Sequence, residues 1–290
     1  MANILVTGAN GQVGSEINAL YAFYPKHRFV FTCKEELDIA DASALTLTCK
    51  AHAITHLINC AAYTAVDKAE TDAQRAQHVN HLGVRNLALT CKALDIALVH
   101  LSTDYVFDGK HYKPYTETDT PNPQTIYGQT KLAGEQAILE ISPKNTLIIR
   151  TAWVYSSFGN NFVKTMLRLG KERESLGVVY DQVGSPTYAK DLANMILDLL
   201  PRIQTSSPTM YHYTNEGVVS WFDFAKEIMR MAKLPCRVNP IETKEYPTPA
   251  KRPHYSVLNT QALKRDFGIE VPYWKDSLDA CLNALGERRS

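Results

Sequence analysis

No apolar run in this sequence approaches the roughly 20 residues that a helix needs to cross a bilayer. Charge of one sign is not in excess either: 31 basic side chains face 30 acidic ones, for a net of +1. A protein that coats nucleic acid or an anionic membrane normally carries a clear positive surplus, so neither partner is expected. Cysteines are few and scattered. Cys33, Cys49, Cys60, Cys91, Cys236 and Cys281 form no C-x-x-C pair and have no histidine cluster beside them. That spacing argues against a zinc site or a disulfide framework and fits a reducing compartment. Internal repeats and low-complexity tracts are missing as well. The chain is strand-like from Asn3 onward, which leaves no room for a signal peptide and sets the expectation of a cytoplasmic protein. What remains is a 290-residue chain, 45% hydrophobic and 21% charged, able to bury a sizeable core.

The first half alternates short apolar runs with longer amphipathic ones. Asn3–Val6, Arg28–Thr32, His56–Asn59, Ala97–Ser102 and Leu147–Arg150 read as strands. Between them, the stretch from the glycines to Pro25, Ser43–Ala51 and a long Gln74–Leu94 segment read as helices, with Asp38 and Asp41 as capping candidates for the second. Short, all-apolar strands separated by helices imply parallel pairing with both sheet faces covered. The expected fold class is therefore α/β, a doubly wound parallel sheet of the dinucleotide-binding Rossmann type. The alternation loosens after Tyr155. Asn161–Lys171 and Asp191–Leu200 look helical, Val178–Val179 and Met210–Tyr213 extended, and Ser220–Asp223 resembles a capping box. Pro235, Pro240, Pro247, Pro249 and Pro253 interrupt the region beyond that box. The expected division is a dinucleotide-binding domain over 1–155 and a smaller α/β C-terminal lobe over 156–290. That lobe would bind substrate and interleave with the last elements of the sheet.

Thr7-Gly8-Ala9-Asn10-Gly11-Gln12-Val13-Gly14 spaces its glycines as G-x-x-G-x-x-G. Glycine lets the backbone turn tightly and approach a pyrophosphate without a Cβ, and a helix N-terminus offers free N–H groups. A glycine triplet alone also occurs in plain turns; here it follows a strand and opens a helix, the context that a nucleotide site requires. An acidic residue at the end of the second strand would hold the adenosine ribose diol and favour NAD. This chain has Thr32-Cys33-Lys34 there, and Asp38 comes later than that pattern expects. Lys34 is either a solvated surface lysine or the partner of a 2′-phosphate. NADPH is favoured as cofactor, with NADH left open.

Tyr127 and Lys131 stand four apart, on one face of a helix. Of the fifteen tyrosines, only Tyr127 has a lysine four residues on. A nearby cation favours the phenolate and is expected to lower the tyrosine pKa towards working pH, suiting a proton donor and acceptor. The pair follows a strand that ends in Ser102-Thr103, and ligands of doubly wound sheets sit at the carboxyl ends of strands. Thr103 is then placed to hydrogen-bond the same substrate oxygen.

Eight segments in order, Thr7 to Gly14, Ala61 to Glu70, Ser102 to Phe107, Tyr127 to Glu135, Arg150 to Tyr155, Gly159 to Met166, Asp181 to Thr187 and Arg252-Pro253, resemble the dTDP-4-dehydrorhamnose reductase family of extended short-chain dehydrogenases/reductases. The resemblance covers nearly the whole chain. It implies reduction by NAD(P)H of the C4 keto group of a dTDP-linked sugar, dTDP-4-dehydro-L-rhamnose, to dTDP-L-rhamnose for surface polysaccharide. By the same resemblance Gly11-Gln12-Val13, Asp38-Ile39, Ala61-Ala62-Tyr63 and Leu101 line the cofactor; Gly8, Asn10 and Gly14 join them from the reading of the glycine loop. Thr103, Asp104 and Trp153 would touch the sugar nucleotide, with Thr103, Tyr127 and Lys131 as the catalytic set and Tyr127 and Lys131 also against the cofactor. Arg252 is the cation expected at the diphosphate, because a guanidinium suits bidentate phosphate contact.

Related sugar-nucleotide dehydratases carry an Asp-Glu pair after the equivalent threonine. Here Tyr105 follows Asp104, which leaves carbonyl reduction without elimination of water. Some members of the family form a metal-bridged dimer through acidic residues. Glu16 matches one of them, but no partner acids can be placed, so a homodimer is left open and no metal is expected. Two other readings stand beside this one. One is a reductase or epimerase of a sibling nucleotide deoxysugar. The other is a non-catalytic regulatory subunit resembling that of methionine adenosyltransferase, against which intact Thr103, Tyr127 and Lys131 argue.

Overall fold

The computed structural model describes residues 1–288. Five strands of the N-terminal half, β1 (Asn3–Thr7), β2 (Arg28–Thr32), β3 (His56–Asn59), β4 (Ala97–Thr103) and β5 (Thr146–Thr151), pair in parallel. A sixth strand, Thr209–His212, adds in parallel to the far side of β5. The order across the sheet is Thr209–His212, β5, β4, β3, β1, β2. The chain order reverses at β1, so the loops that leave β1 and β3 diverge and open a crevice at their carboxyl ends.

Period-2 alternation divides each all-apolar strand between two cores. Ile4 and Val6 of β1, Ile58, Val99 and Leu147 face one layer, where helix α1 (Gln12–Leu20) and the Ala189–Leu199 helix bury Ile17, Leu192 and Ile196. Leu5, Leu57, Leu98 and Ile148 face the other, against Leu45 of helix α2 (Ala42–Ala51), Leu87 and Ile138. Continuous apolar runs were the signal for parallel strands, and this double coverage is its cause. Asp41 caps α2, its Oδ1 accepting from the N–H groups of Ser43 (3.0 Å) and Ala44 (2.9 Å), whereas Asp38 takes the N–H of Ala40 at 2.9 Å.

A third core gathers the helices Phe162–Glu172, Trp221–Met231 and Trp274–Ala284 around Tyr155, Phe224 and Leu278. The parallel pair Ser175–Val179 and Arg237–Ile241 flanks it. The Ser220 capping box is formed, with Ser220 and Asp223 bonded reciprocally. After building part of this core the chain returns to the main sheet with Ala189–Leu199 and Thr209–His212, then leaves it again. No helix among the described residues is long and apolar enough to cross a membrane.

One segment departs from the sequence reading. The expected Gln74–Leu94 helix is α-helical over Ala73–Gln77, π-helical over His78–Gly83 and α-helical again over Val84–Leu94. Hydrophobic spacing does not register a single widened turn. The turn brings Asn80 into the interior, where Oδ1 accepts from Tyr63 N–H at 2.9 Å and Nδ2 reaches Tyr63 O (3.1 Å) and Thr130 Oγ1 (3.2 Å). Such turns recur at functional sites.

Candidate active site

The glycine loop is made almost entirely of backbone. Gly8 has φ +67°, and a Cβ there would lie 2.5 Å from Ala61 N, so the turn after β1 and the turn after β3 touch only because Gly8 has no side chain. A Cβ on Gly14 would lie 2.5 Å from Gly8 O, which lets α1 pack down onto the loop. Gly11 is the N-cap of α1 and offers no side-chain cap, and the first turn holds no acid. The amides of Gln12, Val13 and Gly14 therefore keep their donor capacity and the positive end of the helix dipole. Val13 itself points into the core, so whatever it gives a ligand comes from its N–H. Gln12 reaches across to the C-terminal segments, donating to Val154 O (3.3 Å) and accepting from Asn161 Nδ2 (3.0 Å).

A cavity of about 360 Å3 opens beside this loop. Gly8, Asn10, Gly11, Asp38, Ile39, Ala61-Ala62-Tyr63 and Lys34 line it, whereas Gln12, Val13, Gly14 and Leu101 are not among its wall residues. Arg75, absent from the sequence reading, is a further wall residue.

Tyr127 and Lys131 lie on the Ile126–Ile141 helix, whose N-cap Thr125 accepts from Gly128 N–H at 3.0 Å. Tyr127 is buried in a small cluster with Tyr63, which lines the glycine-loop cavity, and Tyr105, which lines a larger cavity walled by Trp153. It meets Tyr105 edge-on, ring centroids 5.5 Å apart. Thr103 ends β4; its hydroxyl donates to Asp104 Oδ1 at 3.0 Å and accepts from Tyr105 N–H at 3.2 Å.

The electrostatics differ from the expectation. Burial pushes the Tyr127 phenol up to about 12; its hydrogen bond with Thr103 pulls it down and the Asp104 charge pushes it further up. Lys131 does not relieve this, because its ammonium is turned to Leu101 O at 2.6 Å. Lys131 is itself almost wholly buried, and desolvation brings it down to about 8 against the opposing pull of Glu135. Spacing along the helix was correct, but burial outweighs it. Tyr127 is thus held as a proton donor. Asp104 is buried, with Oδ2 unpartnered, and desolvation raises it to about 7 despite the hydrogen bond from Thr103.

The larger cavity, about 680 Å3, is walled by both Trp153 and Arg252. Trp153 has φ +51°, a costly conformation for a bulky residue. It is held by stacking on Trp221, centroids 3.5 Å apart at 9°, and by Gly184, where a Cβ would lie 2.6 Å from the indole. Arg252 is not a free cation. Its Nη2 donates to Asp67 Oδ2 at 2.7 Å, Asp67 Oδ1 also takes Ala250 N–H at 3.1 Å, and Nη1 is buried without a partner. Sequence reasoning missed Trp221, Asp67, Arg168 and Arg173 in this wall. Trp221 lay inside a recognised capping box, which named the helix start and not the indole.

Glu16 is buried and accepts from Ser156 Oγ at 2.6 Å, and burial raises its carboxyl. Among the described residues no group of three or more His, Cys, Asp or Glu is arranged to share a metal ion.

Comparison with known proteins covers almost the whole chain. Residues 1–287 match the family described as RmlD substrate binding domain. A dTDP-4-dehydrorhamnose reductase of Aggregatibacter actinomycetemcomitans is 41% identical over 288 residues, 96% of this chain and 97% of the relative. The crystal structure of a dTDP-4-dehydrorhamnose reductase from Clostridium acetobutylicum superposes with TM-score 0.93 at 42% identity, covering 98% of this chain and 99% of that one. That of Bacillus anthracis, solved in complex with NADP, gives TM-score 0.92 at 39% identity, with 98% and 99% covered.

Proposed function

The chain belongs to the RmlD substrate-binding-domain family of dTDP-4-dehydrorhamnose reductases, and from that premise we propose that it reduces the C4 keto group of dTDP-4-dehydro-L-rhamnose to give dTDP-L-rhamnose. It is an NADP-dependent oxidoreductase. The observation that carries the reading is the position of Tyr127, packed between a residue of the glycine-loop cavity and a residue of the Trp153 cavity. A proton donor in that place serves a dinucleotide on one side and a sugar nucleotide on the other.

The residues present fit the cofactor. The glycine cradle would be filled by any Cβ, and the α1 amides have no competing cap. Bound NADPH supplies the hydride to the carbonyl carbon. The protein's part is the proton: Tyr127, kept protonated by burial, gives it to the carbonyl oxygen as the alcohol forms. Thr103 holds that oxygen and Tyr127 in one hydrogen-bonded group. Lys131, anchored on Leu101 O and turned from the phenol, is left the role of orienting the nicotinamide ribose of bound NADPH. Trp153, stacked on Trp221, offers a flat apolar surface to the sugar, and the unpartnered Nη1 of Arg252 is a donor for the diphosphate. The cytoplasm is the compartment assigned to the reaction, in keeping with six cysteines that are all unpaired.

Incubation with dTDP-4-dehydro-L-rhamnose and NADPH, with the product identified by NMR, tests this directly. Consumption of NADPH and appearance of dTDP-L-rhamnose are expected. No NADPH oxidation, or a C4 epimer as product, would overturn it.

A further inference from the structure

The cavity beside the glycine loop is lined by two cations, Lys34 and Arg75, and two carboxylates, Glu35 and Asp38, with Glu36 adjacent in the chain, and their engagement is unequal. Glu36 turns back on its own segment, Oε2 accepting from Cys33 N–H at 2.8 Å. Glu35 is held by its own backbone N–H and by the Cys33 thiol. Asp38 takes Ala40 N–H at 2.9 Å and stands 3.7 Å from His78. Each acid is thus committed locally. Lys34 and Arg75 also line the cavity, and neither has an ion-pair partner within 4.0 Å among the described residues.

Arg75 is braced by an aromatic ring. Its guanidinium carbon lies 5.9 Å from the centroid of Tyr63. Tyr63 is fixed in turn by Asn80, which bonds both its N–H and its carbonyl from the π turn. A guanidinium resting on a ring keeps its N–H edge available, and its planar fork matches a phosphate. Lys34 comes from the β2 side of the same cavity, with its charge partly offset by neighbouring Glu35.

Resting on the cofactor half of the proposed function, we propose that Arg75, assisted by Lys34, forms a 2′-phosphate subsite that makes the protein select NADPH over NADH. A ribose 2′-hydroxyl carries no charge, so the two cations gain little from NADH. A 2′-phosphate gives both a dianionic partner, and Arg75 is the stronger contributor because it can bond through two donors.

Fluorescence titration of the full-length protein with NADPH and with NADH, and calorimetry with 2′,5′-ADP and 5′-AMP, read the subsite without any sugar substrate. Arg75→Ala is expected to weaken NADPH and 2′,5′-ADP about tenfold and to leave NADH and 5′-AMP unchanged, with Arg75→Lys intermediate. Lys34→Ala is expected to weaken NADPH about threefold or less, as exposed pairs do. The NADPH advantage should also shrink as salt rises, because both cations are exposed. Equal losses for both dinucleotides, or no loss with Arg75→Ala, would overturn the subsite. Binding of NADPH without turnover of the dTDP-sugar would overturn the substrate reading and leave the subsite standing.

Discussion

The cavity beside the glycine loop is walled mainly by short stretches that follow β1, β2 and β3, with a backbone cradle at Gly8, whereas the wall of the larger cavity is collected from side chains far apart in the chain. Gly8 to Gly11, Cys33 to Ile39 and Cys60 to Tyr63 supply most of the first. The second needs the Asp67–Arg252 pair, 185 residues apart, and an indole stack between Trp153 and Trp221. Backbone cradles tolerate no added atom but ask little of side-chain chemistry. Side-chain walls can change one contact at a time. The first arrangement suits a part common to many substrates, the dinucleotide, and the second suits the part that must be told apart.

The largest test falls on the seam between the two. Tyr127→Phe is expected to keep cofactor affinity and lose about 10²- to 10⁴-fold in kcat, the range of a general acid. Turnover within tenfold of the parent would remove Tyr127 from the mechanism. The pH profile sharpens this, because the phenol stays protonated to about 12 while the Lys131 charge is lost above about 8. The alkaline limb of kcat should therefore lie near 8, and a plateau reaching pH 10 would show that the Lys131 charge is dispensable.

Asp104 gives a stability effect of a few kcal/mol. Its folded-state pKa, about 7, exceeds the ordinary value of 3.8. At acid pH both states are protonated and nothing is lost. As pH rises from about 4 to 7 the unfolded state ionises first, so stability falls, and the cost is complete above 7. Asp104→Asn should then raise the melting temperature more at pH 8 than at pH 4.5. An equal change at both would contradict the buried-carboxyl description.

Gly8→Ala puts a side chain at positive φ against Ala61, and a loss of about 2–3 kcal/mol with abolished cofactor binding is expected in thermal melts and titrations. A stable, NADPH-binding Gly8→Ala protein would break the contrast between backbone cradle and side-chain wall. Arg252→Ala should be milder, raising the KM for the dTDP-sugar about tenfold while NADPH binding holds, since one charged contact to the diphosphate is removed. An unchanged KM would show that Arg252 serves only its pair with Asp67.

The same contrast explains how much could be read from the sequence. The glycine spacing, the strand before it and the helix after it are contiguous, so local sequence carries that half of the site. Tyr127 and Lys131 share a helix face, and four-residue spacing reveals that much; the direction of the tyrosine shift depends on burial, which no spacing records. Trp153 and Arg252 line one cavity, but the partner of each, Trp221 and Asp67, is a product of folding. The widened turn at His78–Gly83 was invisible because each flank, taken alone, keeps ordinary helical spacing.

That turn also sets an angle. Successive residues of an α-helix are about 100° apart around the axis. The widened turn at His78–Gly83 absorbs that angle. Were the same residues wound as uninterrupted α from Ala73 to Leu94, everything before His78 would rotate by about that angle against Val84–Leu94, which is fixed in the core by Val84, Leu87 and Ala88. Arg75 would swing off the Tyr63 ring and out of the cavity, so the phase of a single helix bears on which dinucleotide the protein accepts.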